Sequence, residues 1–243
     1  MITDIRKPNV SKVAKGTMGK NILIYGDGGT GKTSNAIKAP DTLVLGFEPG
    51  LAGLEGVRYF LMQNWTDFQQ AVKLLTLAAA DTKNPLPYKT VVVDGIDRMG
   101  ILSEKYVSAL HGANSISEVT GDARYSIWKD YANENDIQIM ALINSPYSMI
   151  WIDHAATRKQ STPTGEEFDQ IYPAGASQVA AKVFDECDIC AYAQRQPNTV
   201  DGHEVLSTLF LRSDNSVATK TRFRKVVSFI PEWDYDKLEK AID

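Results

Sequence analysis

Apolar runs and polar breaks divide the chain into alternating strands and helices. Asn21-Ile22-Leu23-Ile24-Tyr25 is largely apolar and ends at a glycine, the pattern of a strand buried on both faces. A helix follows over about 31–39 and stops at Pro40. Thr42-Leu43-Val44-Leu45-Gly46-Phe47 reads as a second strand, ended by Glu48-Pro49-Gly50. A helix should start near Trp65, with Thr66 or Asp67 as its cap, and Phe68, Val72, Leu75 and Ala79 keep helical spacing. Pro85 and Pro87 mark a loop before Thr90-Val91-Val92-Val93-Asp94, a β-branched, uninterrupted strand.

The pattern continues with a helix over about 96–110, a polar loop at 111–122 and a longer helix over about 123–143. Tyr125, Trp128, Ala132, Ile139 and Ile143 define that helix's apolar face. Ser148-Met149-Ile150-Trp151-Ile152-Asp153 is a fourth core strand with His154 at its end. Residues 155–175 show no clear period and read as a surface loop. A helix over 176–186 leads to a strand over 188–194. Strands at about 204–212 and 218–228 read as a hairpin turning at Asp214-Asn215-Ser216, and a last helix begins near Asp234. Strand–helix alternation through residue 195 implies a mostly parallel sheet flanked by helices, an α/β fold with a C-terminal antiparallel hairpin.

Composition adds few constraints. A chain of 243 residues, 43% hydrophobic and 23% charged, suits one large α/β domain. Residues 1–20 carry five basic side chains (Arg6, Lys7, Lys12, Lys15, Lys20) against Asp4, so they read as a basic arm ahead of a body over 21–243. The net charge of −4 provides no global field for nucleic acid, so any such contact must be local. There is no signal-peptide pattern and no apolar run near the ~20 residues that span a bilayer. The expectation is a cytosolic protein with no membrane contact. Cys187 and Cys190 are spaced C-x-x-C without a second ligand pair, and read as core thiols.

The chemistry is concentrated at Gly26-Asp27-Gly28-Gly29-Thr30-Gly31-Lys32-Thr33. In G-x-x-x-x-G-K-[ST], glycines let successive backbone N–H groups turn toward phosphate oxygens, and the following helix presents its positive end. Lys32 reaches the β- and γ-phosphates and Thr33 offers a hydroxyl to Mg²⁺. This P-loop, strand before and helix after, implies ATP and Mg²⁺. The absence of an Asn-Lys-x-Asp guanine-reading motif favours adenine. Asp94, ending its strand, fits the second carboxylate at the metal, with Asp97 as the fallback. Glu48, also at a strand end, is the candidate general base. His154 reads either as a sensor of the γ-phosphate or as a local hydrogen-bonding residue.

The order of P-loop helix, strand ending in Glu48, strand ending in Asp94 and strand ending in His154 resembles the RecA-like core. Two passages, Tyr88-Lys89-Thr90-Val91-Val92-Val93-Asp94-Gly95-Ile96-Asp97-Arg98 and Asn64-Trp65-Thr66-Asp67-Phe68, resemble phage-encoded RecA-like ATPases of the single-strand annealing kind. The resemblance covers about 20–230. It implies ATP hydrolysis stimulated by DNA, binding of single-stranded DNA, and a homo-oligomer in ring or filament form. A single-strand-binding protein would be a further partner, and the cytoplasm of a bacterial host the setting. It also implies DNA-contacting loops near 111–122 and 155–175. The second holds Arg158 and Lys159 but also Glu166, Glu167 and Asp169. In such oligomers a late strand sends a Lys and an Arg to a neighbour's γ-phosphate, a role that would fall to Lys220 and Arg222. Arg224 is a lesser candidate, and a basic, solvated edge strand is the other reading of this segment. A replication motor or loader, and a nucleotide switch that binds no DNA, are the rival readings.

Overall fold

The computed structural model describes residues 15–81, 83–175, 177–196 and 206–242. Its centre is a mostly parallel sheet built from β1 (Asn21–Gly26), β2 (Thr42–Gly46), β3 (Tyr59–Leu61), β4 (Thr90–Asp94), β5 (Ser148–Asp153) and β8 (Ile189–Gln196). The antiparallel strands β9 (Leu206–Phe210), β10 (Lys220–Thr221) and β11 (Phe229–Ile230) extend it at one side. The spatial order is β11-β9-β8-β1-β5-β4-β2-β3. This is the RecA-like P-loop arrangement, with the strand that ends in Asp153 lying between the P-loop strand and the Asp94 strand.

Alternation along each strand divides its side chains between two cores. Leu23, Leu45, Val91, Val93, Met149, Trp151 and Cys190 face one side. There they meet α2 (Trp65–Ala80), α3 (Ile96–Leu110), α4 (Asp122–Ile143) and α5 (Ser177–Glu186). Ile22, Ile24, Val44, Val92, Ile150, Ile152, Ala191 and Leu209 face the other, against α1 (Lys32–Ala36) and α6 (Tyr235–Ala241). Burial of both faces explains why these strands read as continuous apolar runs rather than alternating ones. Cys187 and Cys190 are both buried free thiols.

Several expectations are corrected. α2 is capped by Asn64, whose side chain accepts from Asp67 N while the Asp67 carboxylate accepts from Asn64 N. This reciprocal box starts the helix two to three residues earlier than a Thr66 or Asp67 cap. The buried face of α4 is Ile127, Tyr131, Asn135, Ile139 and Leu142, whereas Tyr125 is 77% exposed. Apolar residues lie almost all round this helix, so spacing alone could not mark the side that α3 and α5 cover. β3, a short exposed edge strand, carried no sequence expectation.

The segment 155–175 is a β-hairpin rather than a loop: β6 (Ala155–Ser161) pairs with β7 (Glu167–Pro173) through seven residue pairs. Its alternating half-burial hides the apolar signal of a core strand. The C-terminal strands are antiparallel as expected, but 204–212 and 218–228 meet only at their ends, where Leu211 N and Arg212 N donate to Ser228 O. β9 takes the outer half of β8, β10 takes the inner half at Cys190 and Ile189, and β11 pairs with β9. Of residues 16–20, placed by charge in the basic arm, Gly16 and Thr17 pack at α6, where Gly16 N donates to Ile242 O and Thr17 bonds Tyr235 and Glu239, while Gly19 N donates to Ser148 at the start of β5. The remainder of that arm, 1–14, lies outside the described residues.

The cap gives a test of local against global effects. Asn64→Ala should cost about 1 kcal/mol of unfolding free energy in urea. Nucleotide affinity should stay unchanged, because α2 stands away from the P-loop. A loss of nucleotide binding at unchanged stability would contradict this separation.

Candidate functional site

The carboxyl ends of β1, β5, β4 and β2 stand side by side, and each delivers one part of the site. The register pairs Tyr25 with Asp153, Asp94 with Ile152, and Gly46 with Asp94. Gly26, His154, Asp94 and Glu48 thus share one crest of the sheet, the position where open parallel sheets bind ligands. A cavity of about 220 Å³ opens there, lined by the P-loop, Glu48, Asp94, Asp153 and His154.

The P-loop takes its shape from close backbone approach. A side chain at Gly26 would place its Cβ 2.1 Å from the carbonyl oxygen of Ala193, so only glycine lets β1 turn beside β8. Beyond it, Gly28 and Gly29 border open space where a phosphate fits. Thr30 Oγ1 donates to Asp27 O and braces the turn. Lys32 Nζ donates to the carbonyls of Gly26 and Asp27, both at 2.8 Å, and so lies folded along the loop it would leave to reach phosphate. Burial lowers the Lys32 pKa, with Asp94 and Asp27 opposing that shift.

Thr33 Oγ1 donates to Asp94 Oδ2 at 3.0 Å. These two hard oxygen donors, one from the P-loop helix and one from β4, fit a Mg²⁺ that keeps most of its water. Burial raises the Asp94 pKa, which the Thr33 hydroxyl partly offsets. A bound cation would supply charge neutralisation across the β- and γ-phosphates.

Glu48 Oε1 lies 3.3 Å from Arg98 Nε and 3.8 Å from His154 Nδ1, and His154 Nδ1 is 3.2 Å from Asp97 Oδ2. Gly95, at φ 102°, passes so close to Phe47 and Glu48 that a Cβ would touch both at 3.3 Å. This contact holds the end of β2 against the start of α3, and with it the spacing of Glu48 from Asp97. The carboxylate of Glu48 is a third exposed and faces the cavity, where it can orient a water. Glu48, Asp97 and His154 bring their ligand atoms within 4.8 Å of one another.

Two residues at the crest had no assigned part. Arg98 holds Glu48 from the side. Asp153 is fully buried: Oδ1 accepts from His154 N and Asp97 N, and Oδ2 accepts from Gly175 N. It joins β5, α3 and the end of the β6–β7 hairpin. An acid closing an otherwise apolar strand was the available signal. Lys220 and Arg222 lie elsewhere, at the amino end of β8, opposite their own P-loop. Lys220 Nζ donates to the carbonyls of Phe184 and Asp185, and Arg222 pairs with Asp188 at 3.0 Å. Both thus neutralise the C-terminal end of α5.

Glu48→Gln keeps the side chain's size but removes the carboxylate expected to act as general base. Steady-state turnover should fall at least ~10²-fold while calorimetry shows retained nucleotide binding. Near-normal turnover would remove Glu48 from the chemistry. Burial also raises the Asp153 pKa to about 7 from an ordinary 3.8. The folded protein therefore holds a proton there that the unfolded chain releases, so the Asp153 contribution to stability falls as pH rises from about 4 to about 7. Relative to Asp153→Asn, the nucleotide-free wild type should lose thermal stability across that window. A difference that is flat with pH would show that Asp153 ionises normally.

A family model described as an AAA domain matches residues 18–223. The SPbeta prophage-derived uncharacterized protein YorG of Bacillus subtilis (strain 168) is 33% identical over 242 residues, covering 100% of this chain and 71% of that protein. Among solved structures, a KaiC-like protein from the hyperthermophilic archaeon Pyrococcus horikoshii OT3 aligns with a TM-score of 0.44 at 12% identity, over 88% of this chain and 85% of that one. Among the described residues, no helix is long and apolar enough to cross a membrane. With the P-loop, Asp94 and Glu48 gathered on one crest, and with a match that runs over most of its length, the chain belongs to the AAA domain family of P-loop ATPases.

Proposed function

We propose that this ATPase binds single-stranded DNA in an ATP-dependent manner and acts in recombination or strand annealing as a homo-oligomer. The observation that carries the reading is the clamp at the hairpin base. β6 starts one residue after His154, and the returning strand is tied back where Ala174 N donates to His154 O and Gly175 N donates to Asp153. A group that displaces His154 or Asp97 at the nucleotide pulls on the same carboxylate that anchors the hairpin. That is a route by which nucleotide state sets the pose of a projecting arm. The likeness to phage annealing ATPases and the prophage origin of a relative support DNA as what the arm serves.

The hairpin's basic residues differ in role. Arg158 stacks over Tyr172 at 4.3 Å and donates to the carbonyls of Pro173 and Gly175, so it fastens the arm. Lys159 is exposed and 3.9 Å from Glu167. For Arg222 we propose action in trans: half its side chain faces solvent beside Asp188, and a neighbour's phosphates would compete for it.

Anisotropy of a labelled oligo-dT, titrated with salt, tests the DNA reading. Binding should be tighter with a non-hydrolysed ATP analogue than without nucleotide and should weaken as salt rises. Absence of binding at low salt with the analogue present would favour the DNA-free switch. Mixing tests the trans arm. Lys32→Ala chains keep Arg222, and Arg222→Ala chains keep the P-loop, so mixtures of the two inactive proteins should recover part of the ATPase activity. No recovery in mixtures shown to co-assemble would restrict Arg222 to holding α5.

A further inference from the structure

Four aromatic side chains form a ladder across neighbouring strands. Tyr25 of β1 is opposite Tyr192 of β8, Tyr192 opposite Phe210 of β9, and Phe210 opposite Phe229 of β11. Successive ring centroids are 5.4, 6.3 and 6.2 Å apart. Alternation puts all four on the sheet face that also carries Leu23 and Cys190. The closed end lies under the hairpin, where the Tyr25 hydroxyl donates to Ala218 O and Ile171 O. Exposure then rises along the ladder. Tyr25 and Tyr192 are buried, Phe210 is half-buried and Phe229 is 54% exposed, with Val227 beside it at 49%.

Positive charge lies in the chain segments that adjoin the open end. Leu211 N and Arg212 N both donate to Ser228 O, which sets Arg212 next to the start of β11. The Arg212 guanidinium donates to the carbonyls of Phe223 and Arg224 and so fixes the 223–225 turn alongside. Arg224 and Lys225 are exposed, and among the described residues no carboxylate pairs with either. The nearby Asp214 is turned in on Ser216. In a chain of net charge −4, an exposed aromatic step with three cations in the adjoining segments is locally complementary to one class of ligand, a polyanion with flat apolar faces.

We propose that the open end of this ladder is a single-stranded-DNA site, in which a base stacks on Phe229 and its neighbouring phosphates are held by Arg212, Arg224 and Lys225. Aromatic rings on an open sheet face stack unpaired bases regardless of sequence, while flanking cations follow the backbone. The site rests on the DNA-binding reading above and assigns it a surface other than Lys159 on the hairpin. The opposite end of the ladder reaches the nucleotide site, because Tyr192 is next to Ala193, which the P-loop glycine Gly26 packs against.

The test measures oligo-dT binding with an ATP analogue for wild type, Phe229→Ala, Phe229→Trp, Arg224→Ala/Lys225→Ala and Lys159→Ala. Phe229 is largely exposed, so its removal should leave the fold and DNA-free ATPase activity unchanged. Phe229→Ala should weaken binding about tenfold or more, the scale of a lost base–aromatic stack. Phe229→Trp should restore binding and show indole fluorescence quenched by DNA beyond that of wild type, a signal that a change in oligomeric state would not give. The Arg224/Lys225 pair should flatten the salt dependence by about one to two in slope. If wild type binds DNA and Phe229→Ala binds equally well, or if only Lys159→Ala loses affinity, this site is overturned while the DNA-binding reading stands. If wild type binds no single strand, the reading itself fails.

Discussion

Backbone hydrogen bonds that hold the ends of β1, β5, β4 and β2 in parallel register are what the functional site depends on. They fix Gly26, His154, Asp94 and Glu48 along one crest at strand spacing, about 4.8 Å per step. From that crest, α1 needs only its first turn to bring Thr33 within 3.0 Å of Asp94, two strands away from β1. Because side chains alternate, a slip of one residue in any of these strands would exchange its core residues between the two faces and move its terminal acid off the crest. The two hydrophobic cores therefore enforce the geometry of the chemistry.

The electrostatics of the crest are those of a site that needs a partner charge. Burial pushes Lys32 down and Asp94 up, each toward its neutral form. Phosphate oxygens and a divalent cation would reverse both tendencies, because each group gains an opposite charge. Lys32 meanwhile spends its protons on the carbonyls of its own loop, which keeps the buried ammonium hydrogen-bonded. Asp153 differs: its neighbours are backbone N–H donors from three elements, so it serves as a joint among β5, α3 and the hairpin rather than as a ligand.

That joint gives the molecule a physical link between its nucleotide face and its outer surface. The hairpin base, the segment around Ala218 and the aromatic ladder share contacts through Tyr25, whose hydroxyl donates to both Ile171 and Ala218 carbonyls. Lys220 and Arg222 belong to a separate region at the other end of β8, where they stabilise the end of α5. Any contact they make with a nucleotide must come from a second chain.

The P-loop, the buried strands β1, β2, β4, β5 and β8, and the strand-terminal positions of Glu48, Asp94 and His154 were legible in the chain alone. Those features are local: glycine freedom, uninterrupted apolar runs and a residue's place at the end of a run all lie within a few positions. Folding chose which strands are neighbours, and so put β5 between the P-loop strand and Asp94. It also decided that 155–175 folds as a hairpin, and that Lys220–Thr221 joins β8 instead of β9. Half-buried strands and two-residue strands carry too little apolar periodicity to be read, and their pairing is fixed by partners distant in the chain. Asp153 shows the same division: its type and place were visible, but its three N–H donors come from residues 97, 154 and 175, brought together only by folding.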